Sequence, residues 1–185
     1  MFKMVQWRAD LDLAEFYATA DSKGFHNNSS QHMLVDCFKN ERESQTWILY
    51  YNEVAVGSVA CHSIDILEPN AYRICARTCV FTDKLPYTSI RTRGYTIQQH
   101  QNVTAQFFIP ACIEWAGRDK NLYISSNALD TGSQRLVHKI YCPALEEKGT
   151  LERAFEKEYR GAVQTFWRLN VEKFYEQLSL HPRWN

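Results

Sequence analysis

Ser89-Ile90-Arg91-Thr92-Arg93-Gly94-Tyr95-Thr96 is the stretch on which the fold turns. It lies in a window, Lys84 to Ile113, without one aspartate or glutamate, although 21 acidic residues in 185 would place three or four there. Lys84, Arg91 and Arg93 supply the charge of that window, and Gly94 opens a helix-like run. Cations at a glycine-opened helix N-terminus are what holding a phosphate requires, because backbone N–H groups converge there and the helix dipole favours negative charge. A surface loop with two solvated arginines has the same letters, and the pattern alone does not separate the two.

Working outward, Tyr72 to Thr82 alternates as a strand. Tyr72, Ile74, Ala76, Thr78 and Val80 share one face, and Arg73, Cys75, Arg77, Cys79 and Phe81 share the other. Downstream, a long helix is expected from about Tyr95 to Gly117, with Val103, Phe107, Ala111 and Trp115 as one apolar row and Pro110 as a kink. Asn121 to Ser126 reads as a short strand, giving β–loop–α–β across residues 72–126. Before this unit come a strand (Phe2 to Trp7), a helix (Leu11 to Lys23, ended by Gly24) and a second helix capped by Ser29 or Ser30 and running through Phe38. Thr46 to Tyr51 and Val54 to Ile64 form a hairpin about Asn52-Glu53. After it come a helix (Ser133 to Leu145, bent or ended by Pro143), strands Leu151 to Tyr159 and Ala162 to Leu169 joined at Arg160-Gly161, and a terminal helix, Val171 to Leu178.

The bulk numbers bound the class. A chain of 185 residues without linkers or repeats is expected to form one domain over 1–185 with a bulky core, since 14% of residues are aromatic. Lys plus Arg balances Asp plus Glu at 21 each, which disfavours a general nucleic-acid binder. Six cysteines without a CxxC pair read as reduced thiols of a cytoplasmic protein rather than a disulfide framework. Cys75 and Cys79 are too far apart along one strand to share a disulfide or a zinc ion, so no metal site is expected. No apolar run reaches the ~20 residues of a membrane span, and the first residues are too short and polar for a secretory signal.

Strand, loop, Arg91-x-x-Gly94-x-Thr96 and helix together resemble the GNAT superfamily of acyl-CoA N-acyltransferases, whose pyrophosphate loop reads Arg/Gln-x-x-Gly-x-Gly/Ala. The order of elements agrees over nearly the whole chain, and Asn52-Glu53-Val54-Ala55-Val56-Gly57 is similar to the superfamily's turn into its third strand. Thr96 stands where Gly or Ala is usual. The frequent Tyr-x-x-x-Gly-Phe is absent: Leu145 stands four residues before Gly149, and Tyr141 eight before. The resemblance implies an α+β (α/β/α) fold with a mixed, mostly antiparallel sheet of about seven strands and helices on both faces. It also implies acetyl-CoA, or another acyl-CoA, as co-substrate and a small-molecule or peptide amine as acceptor. Coenzyme A would lie between the strand ending at Thr82 and the strand near Ile124. Backbone groups of Val80 and Thr82 would pair with the pantetheine arm, the amides of Arg91, Thr92, Arg93, Gly94, Tyr95 and Thr96 would wrap the pyrophosphate, and Asn127 would hold pantetheine.

Acyl transfer to an amine needs a neutral nucleophile, a held oxyanion and a protonated leaving thiolate. Tyr141 is the candidate general acid, against the alternative of a core tyrosine. His62, with Asp65 and Glu68 following it, is the candidate base, against a structural histidine. Asn127 is alternatively a turn residue. Arg73 and Arg77 either orient an anionic substrate group or pair across strands. Charged residues between Leu145 and Arg160 read as a solvated face. Three functions stay open: an N-acyltransferase, a catalytically inactive CoA-binding or interaction module on the same scaffold, and an unrelated α+β interaction domain. A homodimer is compatible with each.

Overall fold

The computed structural model describes residues 1–26, 29–86, 102–130 and 134–180, with the backbone alone at 75–77 and 134. Seven strands form one sheet: β1 (Phe2–Gln6), β2 (Ser44–Tyr51), β3 (Val54–Ser63), β4 (Ala71–Val80), β5 (Asn121–Ser126), β6 (Leu151–Tyr159) and β7 (Ala162–Leu169). Their spatial order is β1-β2-β3-β4-β5-β7-β6. Every neighbouring pair is antiparallel except β4 and β5, which run parallel and are joined through a helical crossover. The architecture is the expected mixed α+β sheet with helices on both faces.

Local chemistry explains the turns. Asn52 (φ 47°) and Glu53 (φ 66°) are both left-handed, the backbone that a two-residue hairpin demands, and Arg160 (φ 52°) and Gly161 (φ 79°) repeat it between β6 and β7. Helix α1 (Ala14–Ser22) ends against Gly24, whose φ of 67° lets the Phe25 amide return to the Ala20 carbonyl at 3.1 Å. The expected second helix is mostly one π-helical turn, His32–Asp36, and Ser29 Oγ accepts the His32 amide at 3.2 Å as a cap should.

The two prolines in helix interiors do not end their helices. Helix α2 is π-helical over Thr104–Phe108 and α-helical over Ile109–Ala116, with Pro110 in the first turn of the α-helical part. Helix α3 repeats the device: it is α-helical over Gln134–Leu136, π-helical over Val137–Tyr141 and α-helical over Cys142–Glu147, with Pro143 at the same junction. Proline donates no amide and its ring crowds the preceding turn, so a wider turn placed just before it absorbs both defects. The extra residue rotates the apolar row. From Val103 it steps to Phe108, Cys112 and Ala116, all buried, while the expected Phe107, Ala111 and Trp115 pack only partly against the core. Helix α4 (Val171–Ser179) is capped by Asn170, which accepts the Lys173 amide at 3.0 Å.

Helices α2, α3 and α4 cover one face of the sheet around Leu49, Val56, Ile74, Leu122, Ile124 and Trp167. Helix α1 and the π-helical turn cover the other face around Ile48, Cys79 and Phe81. The alternation read along β4 holds: Tyr72, Ile74 and Val80 enter the first core, Cys79 and Phe81 the second. Cys37, Cys61, Cys79, Cys112 and Cys142 are free thiols. No helix among the described residues is long and apolar enough to cross a membrane, and none of their His, Cys, Asp or Glu side chains group as a metal site.

Candidate active site

The sheet divides between β4 and β5. Only Ala71–Asn121, Tyr72–Leu122 and Arg73–Tyr123 face each other; beyond them, among the described residues, β4 runs on to Val80 and β5 to Ser126 without pairing. On its other side β4 carries two extra residues against β3, one between the Ser58 and Ala60 positions and one between Ala60 and His62. Such bulges bend a strand and increase its twist, which turns β4 away from β5. Gly57 sits where β3 meets the end of β4: a Cβ there would lie 2.9 Å from the Cys79 carbonyl oxygen and 3.1 Å from Phe108 Cζ.

At its far end the β4 backbone turns toward the gap. Phe81 donates its amide to the Val56 carbonyl at 2.7 Å, so the amide and carbonyl of Val80 face the opposite way, toward β5. Thr82 no longer continues the strand. It opens a 3₁₀ turn, Thr82–Lys84, and its carbonyl accepts the Leu85 amide at 3.4 Å. Arg91, Arg93, Gly94, Tyr95 and Thr96 lie outside the described residues, as do the side chains of Cys75 and Arg77.

Across the gap, Asn127 follows β5 directly. Its carboxamide oxygen accepts the Leu129 amide at 2.8 Å and its own amide donates to Asp130 at 3.3 Å, the turn geometry held open as its alternative role. Tyr141 lies half-buried in the π turn of α3, and burial pushes its phenol up to about 12, so it is protonated at neutral pH. His62 is enclosed completely. Nδ1 donates to the Ser63 carbonyl at 2.7 Å and the ring stacks on Phe38 at 4.5 Å, the arrangement of a structural histidine with no face toward solvent. The carboxylates after it are also engaged: Asp65 binds Arg42, and Glu68 accepts the Tyr123 hydroxyl at 2.9 Å.

Three further features shape the site. Ser126 Oγ and His138 Nδ1 lie 2.8 Å apart at the end of β5 that pairs with β7 but not with β4, joining α3 to the gap. Trp167, opposite Ile124 on β7, is fully buried, and its indole N–H has no acceptor among the described residues. Arg73, the last β4 residue paired to β5, donates through Nε to Ser125 at 2.6 Å and stands 6.0 Å from the Tyr159 ring. Of the three, only Arg73 was a candidate in the sequence.

A mostly antiparallel seven-stranded sheet, parted at its one parallel pair and covered by helices on both faces, is the fold of the GNAT superfamily of acyl-CoA N-acyltransferases. Among solved structures the chain is similar to a protein assigned as an acetyltransferase from Staphylococcus epidermidis, at 10% identity and TM-score 0.55 over 91% of this chain and 97% of that one. It is also similar to a protein assigned as a GNAT-family acetyltransferase from Desulfovibrio desulfuricans, at 12% identity and TM-score 0.54 over 92% and 99%. A third likeness is the ribosomal-protein-S18-alanine N-acetyltransferase of Escherichia coli, at 12% identity and TM-score 0.52 over 91% and 93%. No protein-family model matches the chain, and no curated protein matches it.

Proposed function

We propose that the protein is an acyl-CoA-dependent N-acyltransferase that moves an acyl group from a thioester to an amine. The observation that carries this reading is the parting of β4 and β5 after Arg73 and Tyr123, with the Val80 backbone turned into the gap. An extended arm carrying amides adds to such an edge as a strand does.

Acyl-CoA supplies the activated acyl group, and this chain's residues do the rest. Val80 aligns the arm, and the amides of Arg91 to Thr96, with both guanidinium groups, hold the diphosphate. Tyr141 keeps its proton across the physiological range and is the group assigned to donate it to the departing sulfur. The acceptor approaches on the α1 side of the sheet, since Ile74, Leu122, Ile124 and Trp167 close the opposite side with packed core. His62 is set aside as base because its ring is sealed under Phe38.

That enclosure favours one other reading, a binding module that holds acyl-CoA without turnover. The deciding assay follows acetyl-CoA consumption over a panel of primary amines, alongside melting with and without acetyl-CoA. At about 100 times Kd a ligand that binds only the folded chain adds ~2.7 kcal/mol of stability. Stabilisation with turnover supports the transferase, stabilisation without turnover supports the module, and no stabilisation overturns both.

A further inference from the structure

On the α1 side of the sheet, the turn between β6 and β7 reaches back over the segment before β2 and fills a small cage with its own side chain. The guanidinium of Arg160 lies 4.9 Å from the centroid of the Phe38 ring and 5.4 Å from that of Tyr159. Its Nη2 donates to Glu41 Oε1 at 3.2 Å and to the Cys37 carbonyl at 3.2 Å, Nη1 donates to Cys37 Sγ at 2.8 Å, and Nε donates to the Tyr159 hydroxyl at 2.8 Å. Two aromatic faces and a carboxylate around one delocalised cation are the chemistry that recognises organic cations. The cage adjoins the parting of the sheet. Phe38 stacks on His62, His62 stands opposite Arg73, and Arg73 is the last β4 residue paired to β5.

We propose that Phe38, Tyr159 and Glu41 form the subsite for a cationic group of the acceptor, and that Arg160 occupies it as an internal stand-in until the acceptor displaces it. The assignment of this subsite to an acceptor rests on the acyltransferase reading. It narrows the substrate class to amines that carry a second organic cation, an ammonium or a guanidinium, besides the nitrogen that is acylated. Three properties of the occupant support displacement. Arg160 is held by side-chain contacts about 120 residues away in sequence, sits on a two-residue turn that needs no arginine, and keeps 29% of its side-chain surface exposed against 25% for Glu41. A ligand cation can therefore reach the carboxylate from solvent.

The test measures binding of n-butylammonium and n-butylguanidinium by NMR titration, with n-butanol as the uncharged control and no acyl-CoA present. Arg160→Asn empties the cage while making an Asn-Gly turn, the pairing this hairpin favours, and Arg160→Gly serves if that variant fails to fold. We expect either variant to bind both cations at least tenfold more tightly than the wild type, with the gain lost in the double variant carrying Glu41→Gln and no gain for n-butanol. Unchanged cation affinity on emptying the cage, a gain that survives Glu41→Gln, or an equal gain for n-butanol would overturn the proposal. Acetyl-CoA melting on the same proteins reports separately on the acyltransferase reading, so the two fail independently.

Discussion

Replacing Gly57 by alanine tests the packing that shapes the gap. The added methyl would stand 2.9 Å from the Cys79 carbonyl oxygen and 3.1 Å from Phe108 Cζ, both inside van der Waals contact. Cys79 is backbone in a paired strand and Phe108 is fully buried, so neither can retreat freely. Overpacking of this kind costs about 1–3 kcal/mol. The loss of unfolded-chain freedom on going from glycine to alanine returns ~0.4–1 kcal/mol. The midpoints of these two ranges leave about 1.3 kcal/mol of destabilisation, which for a chain of this size is a fall in Tm of roughly 3–5 °C. Displacing the Cys79 carbonyl also moves Val80, whose backbone faces the gap, so the Tm gain with acetyl-CoA should shrink. Gly149→Ala is the control: its φ of 72° strains any side chain, but nothing lies within 4 Å of the new methyl, and it leads into β6 at the far edge of the sheet. Chemical denaturation and melting with and without acetyl-CoA read both effects. A Gly57→Ala protein as stable as the wild type, or one whose acetyl-CoA shift matches that of Gly149→Ala, would refute the reasoning.

Other expectations follow from single residues. Burial raises the phenols of Tyr17, Tyr50, Tyr72, Tyr123, Tyr141 and Tyr159, with Tyr123 and Tyr141 pushed up to about 12. Their contribution to stability is complete below the unfolded value near 10 and is lost as pH rises toward 12, because the unfolded chain gives up those protons first. Denaturation midpoints should therefore fall between pH 10 and 12, and native phenolate absorbance should rise later than in denaturant; a flat midpoint across that window would be the contrary result. Asn170→Ala removes the cap of α4 and should cost ~1 kcal/mol by urea denaturation, with no change in acetyl-CoA affinity. The double change Arg91→Glu and Arg93→Glu should abolish acetyl-CoA stabilisation, read by melting each protein with and without acetyl-CoA; a shift equal to that of the wild type would be the contrary result.

The strands were the legible part of this chain. β5, β6 and β7 coincide with the residues predicted, because short β-rich runs bounded by turn residues leave little choice of boundary. The helices were legible in place but not in phase. Pro110 and Pro143 signalled distortion, and only the structure shows that the distortion is an added residue that shifts the buried row from Phe107 to Phe108. Site residues were the least legible, since their roles depend on distances across the sheet. His62 could not be told from a catalytic base until Phe38 was seen to cover it. Arg160 looked like part of a solvated charged stretch because its partners, Cys37 and Glu41, come from the far end of the sequence.

Hydrogen–deuterium exchange along β4 and β5, with and without acetyl-CoA, tests the central claim most directly. If the gap receives the carrier arm, acetyl-CoA should slow exchange in peptides covering residues 74–82 and 124–127, most strongly at the Val80 amide, and leave β1 and β6 unchanged. Slowing confined to other elements, or none at saturating acetyl-CoA, would contradict it.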